Sequence, residues 1–218
     1  MLADDEAAAR HGIVRVCRRL YERGLIAGPD GNVSVRLGPE RVLVTPAGLS
    51  KGELGVEDLV EVTLDGRAVP GRHRPSTEVA MHLRIYARRS DIRAVVHAHP
   101  PTATAFGVAG ETVPCTVLPE LVYQMGAVAL VPYAMPGTEA LADAFEPYVA
   151  GHDAFVMANH GAVTAGRNLV EAHQRMESLE HAARIVMAAR LLGRVNELSA
   201  ADVAALVAAR THGQERGA

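Results

Sequence analysis

His97-Ala98-His99 closes the apolar run Ala94-Val95-Val96, and far downstream Ala158-Asn159-His160-Gly161 supplies a third imidazole. Alternate side chains of a strand share a face, so His97 and His99 can direct two rings at one ion. Three neutral imidazoles are the ligand set of an open catalytic zinc site, whereas a closed structural site takes four protein ligands, usually with thiolates. The chain has two cysteines, Cys17 and Cys115, far apart. A His-x-His pair alone can equally be two ordinary strand histidines. What favours a shared ion is His160, which ends a predicted buried strand over Ala154 to Ala158 and precedes Gly161, a residue that permits close backbone approach. The expected centre is zinc on His97, His99 and His160 with one position left for substrate; Mn, Fe, Co or Ni suit the same imidazoles.

Glu78 follows Ser76 and Thr77, two residues able to cap a helix running from Glu78 to about Arg89. The plain reading is a first-turn acid favoured by the helix dipole. The sharper one is a general base beside the metal, because this helix leads directly into the His97 strand. Gly31-Asn32-Val33-Ser34, Thr45-Pro46-Ala47-Gly48 and Ser76-Thr77 are turns rich in backbone, amide and hydroxyl donors without a fixed positive charge, suited to cradling a phosphate. Gly48-Leu49-Ser50-Lys51 lacks the glycine spacing of a Walker loop. His82, four residues after Glu78 on the same helical face, is expected to pack against the sheet rather than to bind metal. His173, Glu177 and His181 repeat at four-residue steps, but Glu171 with Arg175 and Glu180 with Arg184 are spaced as ion pairs, so a solvated or subunit-facing helix surface is expected there. Tyr123 and Tyr133 are expected to pack in the core or in turns.

The elements that must position these groups follow from periodicity. Ile13, Val16, Cys17 and Leu20 recur at helical spacing between Asp4 and Arg23, and Gly24 can close that helix. Runs rich in β-branched residues at Val33 to Leu37, Arg41 to Thr45 and Leu59 to Leu64, separated by turn signals, read as antiparallel strands. Further strands are expected at Val128 to Pro132, Ala154 to Ala158 and Ala162 to Thr164. Helices are expected at Thr138 to Val149, Asn168 to Leu192 and Ala200 to Arg210. This order fits one α/β domain over residues 1–218, a three-layer α/β/α arrangement with a mostly antiparallel central sheet, since short links leave little room for crossovers.

With 218 residues, 49% hydrophobic, the chain can bury one sizeable core, and a net charge of -3 with mixed signs gives no footprint for nucleic acid or anionic membrane. Small charged metabolites fit better. Asp4, Asp5 and Glu6 stand where a signal peptide would be basic and apolar, and no apolar run is long enough to cross a bilayer. A cytoplasmic protein with free thiols is expected.

The succession Gly31-Asn32-Val33-Ser34, Thr45-Pro46-Ala47-Gly48, Ser76-Thr77-Glu78, His97-Ala98-His99, Pro132-Tyr133 with Gly137-Thr138, and Asn159-His160-Gly161 resembles the class II aldolase/adducin family over nearly the whole chain. The likeness is greatest to members that act on ketose 1-phosphates such as L-fuculose 1-phosphate. It implies an α/β/α fold, a homotetramer with active sites between subunits, and zinc bound by His97, His99 and His160. Glu78 would be a fourth ligand that moves away to act as acid and base, and Asn32, Gly48, Ser76 and Thr77 would form the phosphate site. Departures are visible. Leu118 stands where a tyrosine proton donor is carried by the fuculose-phosphate enzymes, and the tail Thr211 to Ala218 has no tyrosine. Glu120 aligns with a catalytic glutamate of related dehydratases and is a second candidate carboxylate. The implied activity is reversible cleavage of a ketose 1-phosphate, either L-fuculose 1-phosphate or a 5-deoxy or 5-methylthio pentulose 1-phosphate, to dihydroxyacetone phosphate and an aldehyde. A dehydratase, decarboxylase or 4-epimerase using the same metal is the alternative, and a non-catalytic adducin-like module a more distant one.

Overall fold

The computed structural model describes residues 3–216. The tail singled out for lacking tyrosine lies partly outside them. Helix α1 (Ala3–Glu22) is followed by strands β1 (Asn32–Arg36), β2 (Arg41–Val44) and β3 (Val60–Thr63), then α2 (Val79–Arg88) and β4 (Ala94–Ala98). Helices α3 (Pro101–Val108) and α4 (Pro119–Met125) lead to β5 (Val128–Val131), α5 (Glu139–Ala144), β6 (Ala154–Met157) and β7 (Gly161–Gly166). The long α6 (Leu169–Leu191) and α7 (Ala200–Arg216) complete the order. No helix among the described residues is long and apolar enough to cross a membrane.

The seven strands form one sheet in the order β3-β2-β1-β4-β7-β6-β5. It is mixed, which corrects the expectation of a mostly antiparallel sheet: β5 and β6 run parallel, in register from Val128 opposite Ala154 to Val131 opposite Met157. The stretch between these strands carries α5 and is long enough for the crossover a parallel pair requires. The other neighbours pair antiparallel, and β4 lies between β1 and β7.

Both faces of the sheet are apolar, which is why β4 reads as a continuous hydrophobic run rather than an alternating one. Ala94, Val96 and Ala98 face Ile13, Val16 and Leu20 of α1 and Met176 and Leu179 of α6, while Val95 faces Met81, Ile85 and Tyr86 of α2 and Phe145 beyond α5. Helix α3 carries no clear apolar period; it and α4 each start on a proline in the first turn, Pro101 and Pro119.

The ion pairs expected on α6, Glu171 with Arg175 and Glu180 with Arg184, form at 3.0 and 2.7 Å and His181 is exposed, but part of the face expected to be solvated or subunit-facing is packed inside. His173, Arg175 and Glu180 are buried. The Glu180 carboxylate accepts from the backbone N–H groups of Thr102 and Ala103 at 3.0 and 2.9 Å, satisfying the open donors at the start of α3. Arg175 bridges Asp153 and Glu171, at 3.1 and 3.0 Å. Tyr123 and Tyr133, expected in packed positions, are exposed. Cys17 and Cys115 are free and buried.

Candidate metal centre and anion groove

The two histidine stretches converge. His97 lies on β4 with its Cα opposite Asn32 on β1 and Val163 on β7, fully buried. Its Nδ1 donates to the Ala162 carbonyl at 2.9 Å, which leaves the Nε2 lone pair free. His99 follows directly after β4, where its backbone N–H donates to the Leu25 carbonyl at 2.9 Å. His160 sits in the turn between β6 and β7, next to Asn159, whose φ of 55° lies in the left-handed region. The ring centroids are 4.9, 5.0 and 5.2 Å apart.

Glu78 completes the cluster. Its Oε2 is 3.2 Å from His97 Nε2 and its Oε1 is 3.1 Å from His160 Nε2, while His99 Nε2 is 3.2 Å from His97 Nε2. A zinc ion with metal–nitrogen distances of about 2.0–2.1 Å in tetrahedral geometry sets its ligand atoms about 3.3 Å apart, so these separations fit one bound cation. One donor atom from each histidine lies within 4.8 Å of the others. Burial, then the facing rings of His97 and His160, hold the His99 pKa down to about 4, so this imidazole is neutral and able to ligate at neutral pH. Burial alone would push the Glu78 carboxyl up; the neighbouring His97 and His160 rings outweigh it and hold the group well below the ordinary carboxylate range.

Glu78 is not a first-turn acid. It occupies the N-cap position of α2, with φ −98° and ψ 14°, and its side chain makes no capping bond. Ser76 shapes this turn instead, its Oγ accepting from the Glu78 backbone N–H at 3.3 Å. A carboxylate at an N-cap ordinarily turns back to the helix N–H groups; this one points into the histidines and accepts from Asn32 Nδ2 at 2.8 Å.

A groove of about 280 Å³ opens on the cluster, and Asn32, Gly48, Ser76, Thr77, Glu78, His99 and His160 all line it. The three donor-rich turns and the histidines therefore share one cavity, with His97 beneath its floor. Gly31 and Gly48 hold φ of 69° and 76°, and a Cβ on Gly31 would come within 2.8 Å of the His97 carbonyl oxygen, so that turn must be glycine. Glu120 is not brought to the groove. It is exposed in the first turn of α4, and Leu118 caps that helix half-buried against the core.

By sequence, Lys51 has no assigned part at the site and His82 only a packing one. Lys51 lines the groove at 2% exposure, its Nζ donating to the carbonyls of Pro29 at 2.7 Å and Leu49 at 3.0 Å; burial lowers its pKa. It ties two of the donor-rich turns together. His82 is fully buried, as packing required, but is hydrogen-bonded at both ring nitrogens, to Ser34 Oγ at 2.7 Å and to Asn32 Oδ1. Its spacing from Glu78 was the available signal.

Residues 11–187 match the family model for the Class II Aldolase and Adducin N-terminal domain. The chain is 35% identical over 207 residues to the 3-oxo-tetronate 4-phosphate decarboxylase of Escherichia coli K12, covering 92% of this chain and 96% of that one. It is 36% identical over 172 residues to the L-fuculose phosphate aldolase of Methanococcus maripaludis strain S2, covering 79% of this chain and 92% of that one. The crystal structure of YgbL from Escherichia coli superposes with a TM-score of 0.86 at 34% identity, covering 93% of this chain and 99% of that one.

Proposed function

Because the chain belongs to the class II aldolase and adducin N-terminal domain family, we propose that it is a metal-dependent carbon–carbon lyase that decarboxylates a small phosphorylated 3-oxo sugar acid. The observation that carries this reading is the scarcity of carboxylates in the groove. Apart from Asp30, whose carboxylate is 3.6 Å from His99 Nδ1, Glu78 is the one carboxylate lining it.

Cleaving a ketose 1-phosphate requires a base for the hydroxyl proton at the carbon that leaves as aldehyde, and an acid for the carbon left behind. Leu118 and the exposed Glu120 offer the first of these nothing within this groove. Loss of carbon dioxide needs only the second. The C1–C2 bond of a 3-oxo acid breaks, its electron pair stays at C2 in conjugation with the C3 carbonyl, and one proton is then added at C2. Starting from a 3-oxo-tetronate 4-phosphate, the product is dihydroxyacetone phosphate, the fragment that cleavage of a ketose 1-phosphate also releases. The two reactions therefore ask the same electronic task of the site.

His97, His99 and His160 would hold the metal, with zinc the first choice, and a divalent ion there supplies Lewis acidity toward the carbonyl and adjacent hydroxyl oxygens. Gly48, Ser76, Thr77 and the second N–H of the Asn32 amide bind the phosphate, with Lys51 as its counter-charge. Binding energy spent on the phosphate thereby orients C1 to C3 at the cluster. Glu78 carries the proton to C2.

Aldol cleavage is the second reading, favoured by the identity to the fuculose phosphate enzyme. Zinc-loaded protein incubated separately with 3-oxo-tetronate 4-phosphate and with a panel of ketose 1-phosphates, with coupled detection of dihydroxyacetone phosphate, separates them. Dihydroxyacetone phosphate and carbon dioxide from the former support decarboxylation. The same phosphate with an aldehyde, from a ketose 1-phosphate alone, replaces it with the aldolase reading.

A further inference from the structure

Behind Glu78 runs a buried polar chain whose members beyond Asn32 do not line the groove. Asn32 Nδ2 donates to Glu78 Oε2 at 2.8 Å, Asn32 Oδ1 meets His82 Nε2, His82 Nδ1 is 2.7 Å from Ser34 Oγ, and Ser34 Oγ is 2.8 Å from the Tyr86 hydroxyl. Asn32, Ser34, His82 and Tyr86 are all buried. The chain spans β1 and α2, so it is built by tertiary contact rather than by local sequence.

The proton positions along it follow from one fact. An ionised carboxylate only accepts, so the Asn32 amide must present its NH2 to Glu78 and its carbonyl oxygen to His82. His82 must then donate from Nε2. Being neutral, it must accept at Nδ1, which makes the Ser34 hydroxyl a donor to the ring and leaves its lone pair for the Tyr86 O–H. Burial, followed by the charge near His97, holds the His82 pKa down to about 3, in keeping with a neutral ring. Reversing any one bond would put two acceptors or two donors face to face in a site closed to water, at a cost comparable to an unsatisfied buried polar group, about 1–3 kcal/mol.

We propose that His82, fixed in its Nε2–H tautomer by Ser34 and Tyr86, is a positioning residue that locks the Asn32 amide in the one orientation able to hold the Glu78 carboxylate. Without it the amide is free to flip and set its oxygen against the carboxylate. This rests on Glu78 being the working carboxylate of the proposed reaction, but the tautomer itself does not depend on substrate or metal.

The test has two arms. In the full chain labelled with 15N-histidine, the His82 ring, assigned by its loss in His82→Leu, is expected to show one protonated Nε2 and one bare Nδ1 at neutral pH. A protonated Nδ1, or a charged ring, overturns the proposal even if the chain proves inactive on every sugar phosphate. For the second arm, His82→Leu and Asn32→Ala are each expected to lower kcat by about tenfold or more with metal content retained, and the double variant to be no slower than Asn32→Ala within about twofold, since one acts through the other. Multiplying effects would mean that His82 acts by another route. If His82→Leu does not fold, His82→Gln replaces it in the cycle and supplies the missing ring signal for assignment.

Discussion

Gly161 forms the bed for the ring of His99: a Cβ there would lie 2.6 Å from His99 Cδ2, and also 2.6 Å from the Ala98 carbonyl oxygen and 3.2 Å from His97 Cε1. Neither the strand backbone nor the buried His97 ring can move aside cheaply. Gly161→Ala is therefore expected to destabilise the fold by about 1–3 kcal/mol, as overpacking does. Because the displaced atoms are the ligands themselves, zinc affinity measured by calorimetric titration should fall by more than tenfold, in line with about 1.4 kcal/mol per decade. Unchanged affinity would show that the ligands come from elsewhere.

Glu78→Gln separates the two parts this residue could play. The variant keeps shape and the neighbouring imidazoles but loses the proton carrier, so kcat is expected to fall by about 10²–10⁴ while elemental analysis still finds one metal per chain. Loss of the metal together with activity would instead make Glu78 chiefly a ligand.

The histidine centre was legible because strand alternation and a glycine after His160 leave a local pattern, and the three donor turns were legible because glycine, asparagine and hydroxyl residues mark turns directly. Glu78 was recognised but given the wrong local position, since a capping pattern cannot say which way the capping residue's own side chain turns. Lys51 and the hydrogen bonds of His82 escaped notice for another reason. Burial of a lysine or a doubly bonded histidine is decided by strands and loops distant in sequence, here Pro29, Ser34 and Asn32. The parallel pair β5–β6 was missed although a helix is expected between its strands at Thr138 to Val149, because the short links elsewhere favour antiparallel pairing and outweigh this one crossover.

Lys51 is expected to act on binding more than on turnover. A buried cation near a dianionic phosphate is worth on the order of 1–3 kcal/mol at effective dielectric values near 20. Lys51→Met keeps the length of the apolar stem and removes the charge. KM for the phosphorylated substrate should rise about tenfold or more with kcat changed much less, and inorganic phosphate should weaken as an inhibitor to a similar extent. An equal fall in kcat with KM unchanged would remove Lys51 from phosphate binding.

Glu120 discriminates between the two readings of the reaction. Carbon dioxide departs without a hydroxyl proton to remove, so Glu120→Gln should leave decarboxylation within about threefold of the parent, the range of surface substitutions away from the reacting atoms. Under the aldolase reading a neighbouring subunit's groove would need this carboxylate in place of the tyrosine, and the same variant would slow cleavage by about 10² or more. Steady-state kinetics on both substrate classes reads the difference directly.

His82 gives the fold a specific sensitivity to acid. Its pKa is about 3 in the folded protein against an ordinary value of 6.5, because burial among Ser34, Tyr86 and Asn32, followed by the nearby His97, outweighs the opposing pull of Glu78. Between these two values the unfolded chain binds a proton at this ring that the folded chain does not. Its contribution to stability is therefore fully present above about pH 6.5 and declines as pH falls toward 3, at about 1.4 kcal/mol per pH unit. Glutamine cannot take up that proton in either state. Denaturant titrations of the metal-free protein at pH 7 and pH 5 should show that His82→Gln, less stable at pH 7, loses less on acidification than the parent, by about 2 kcal/mol over the interval. Parallel losses in the two proteins would place the acid sensitivity in other groups and show that His82 takes up its proton as readily in the fold as out of it.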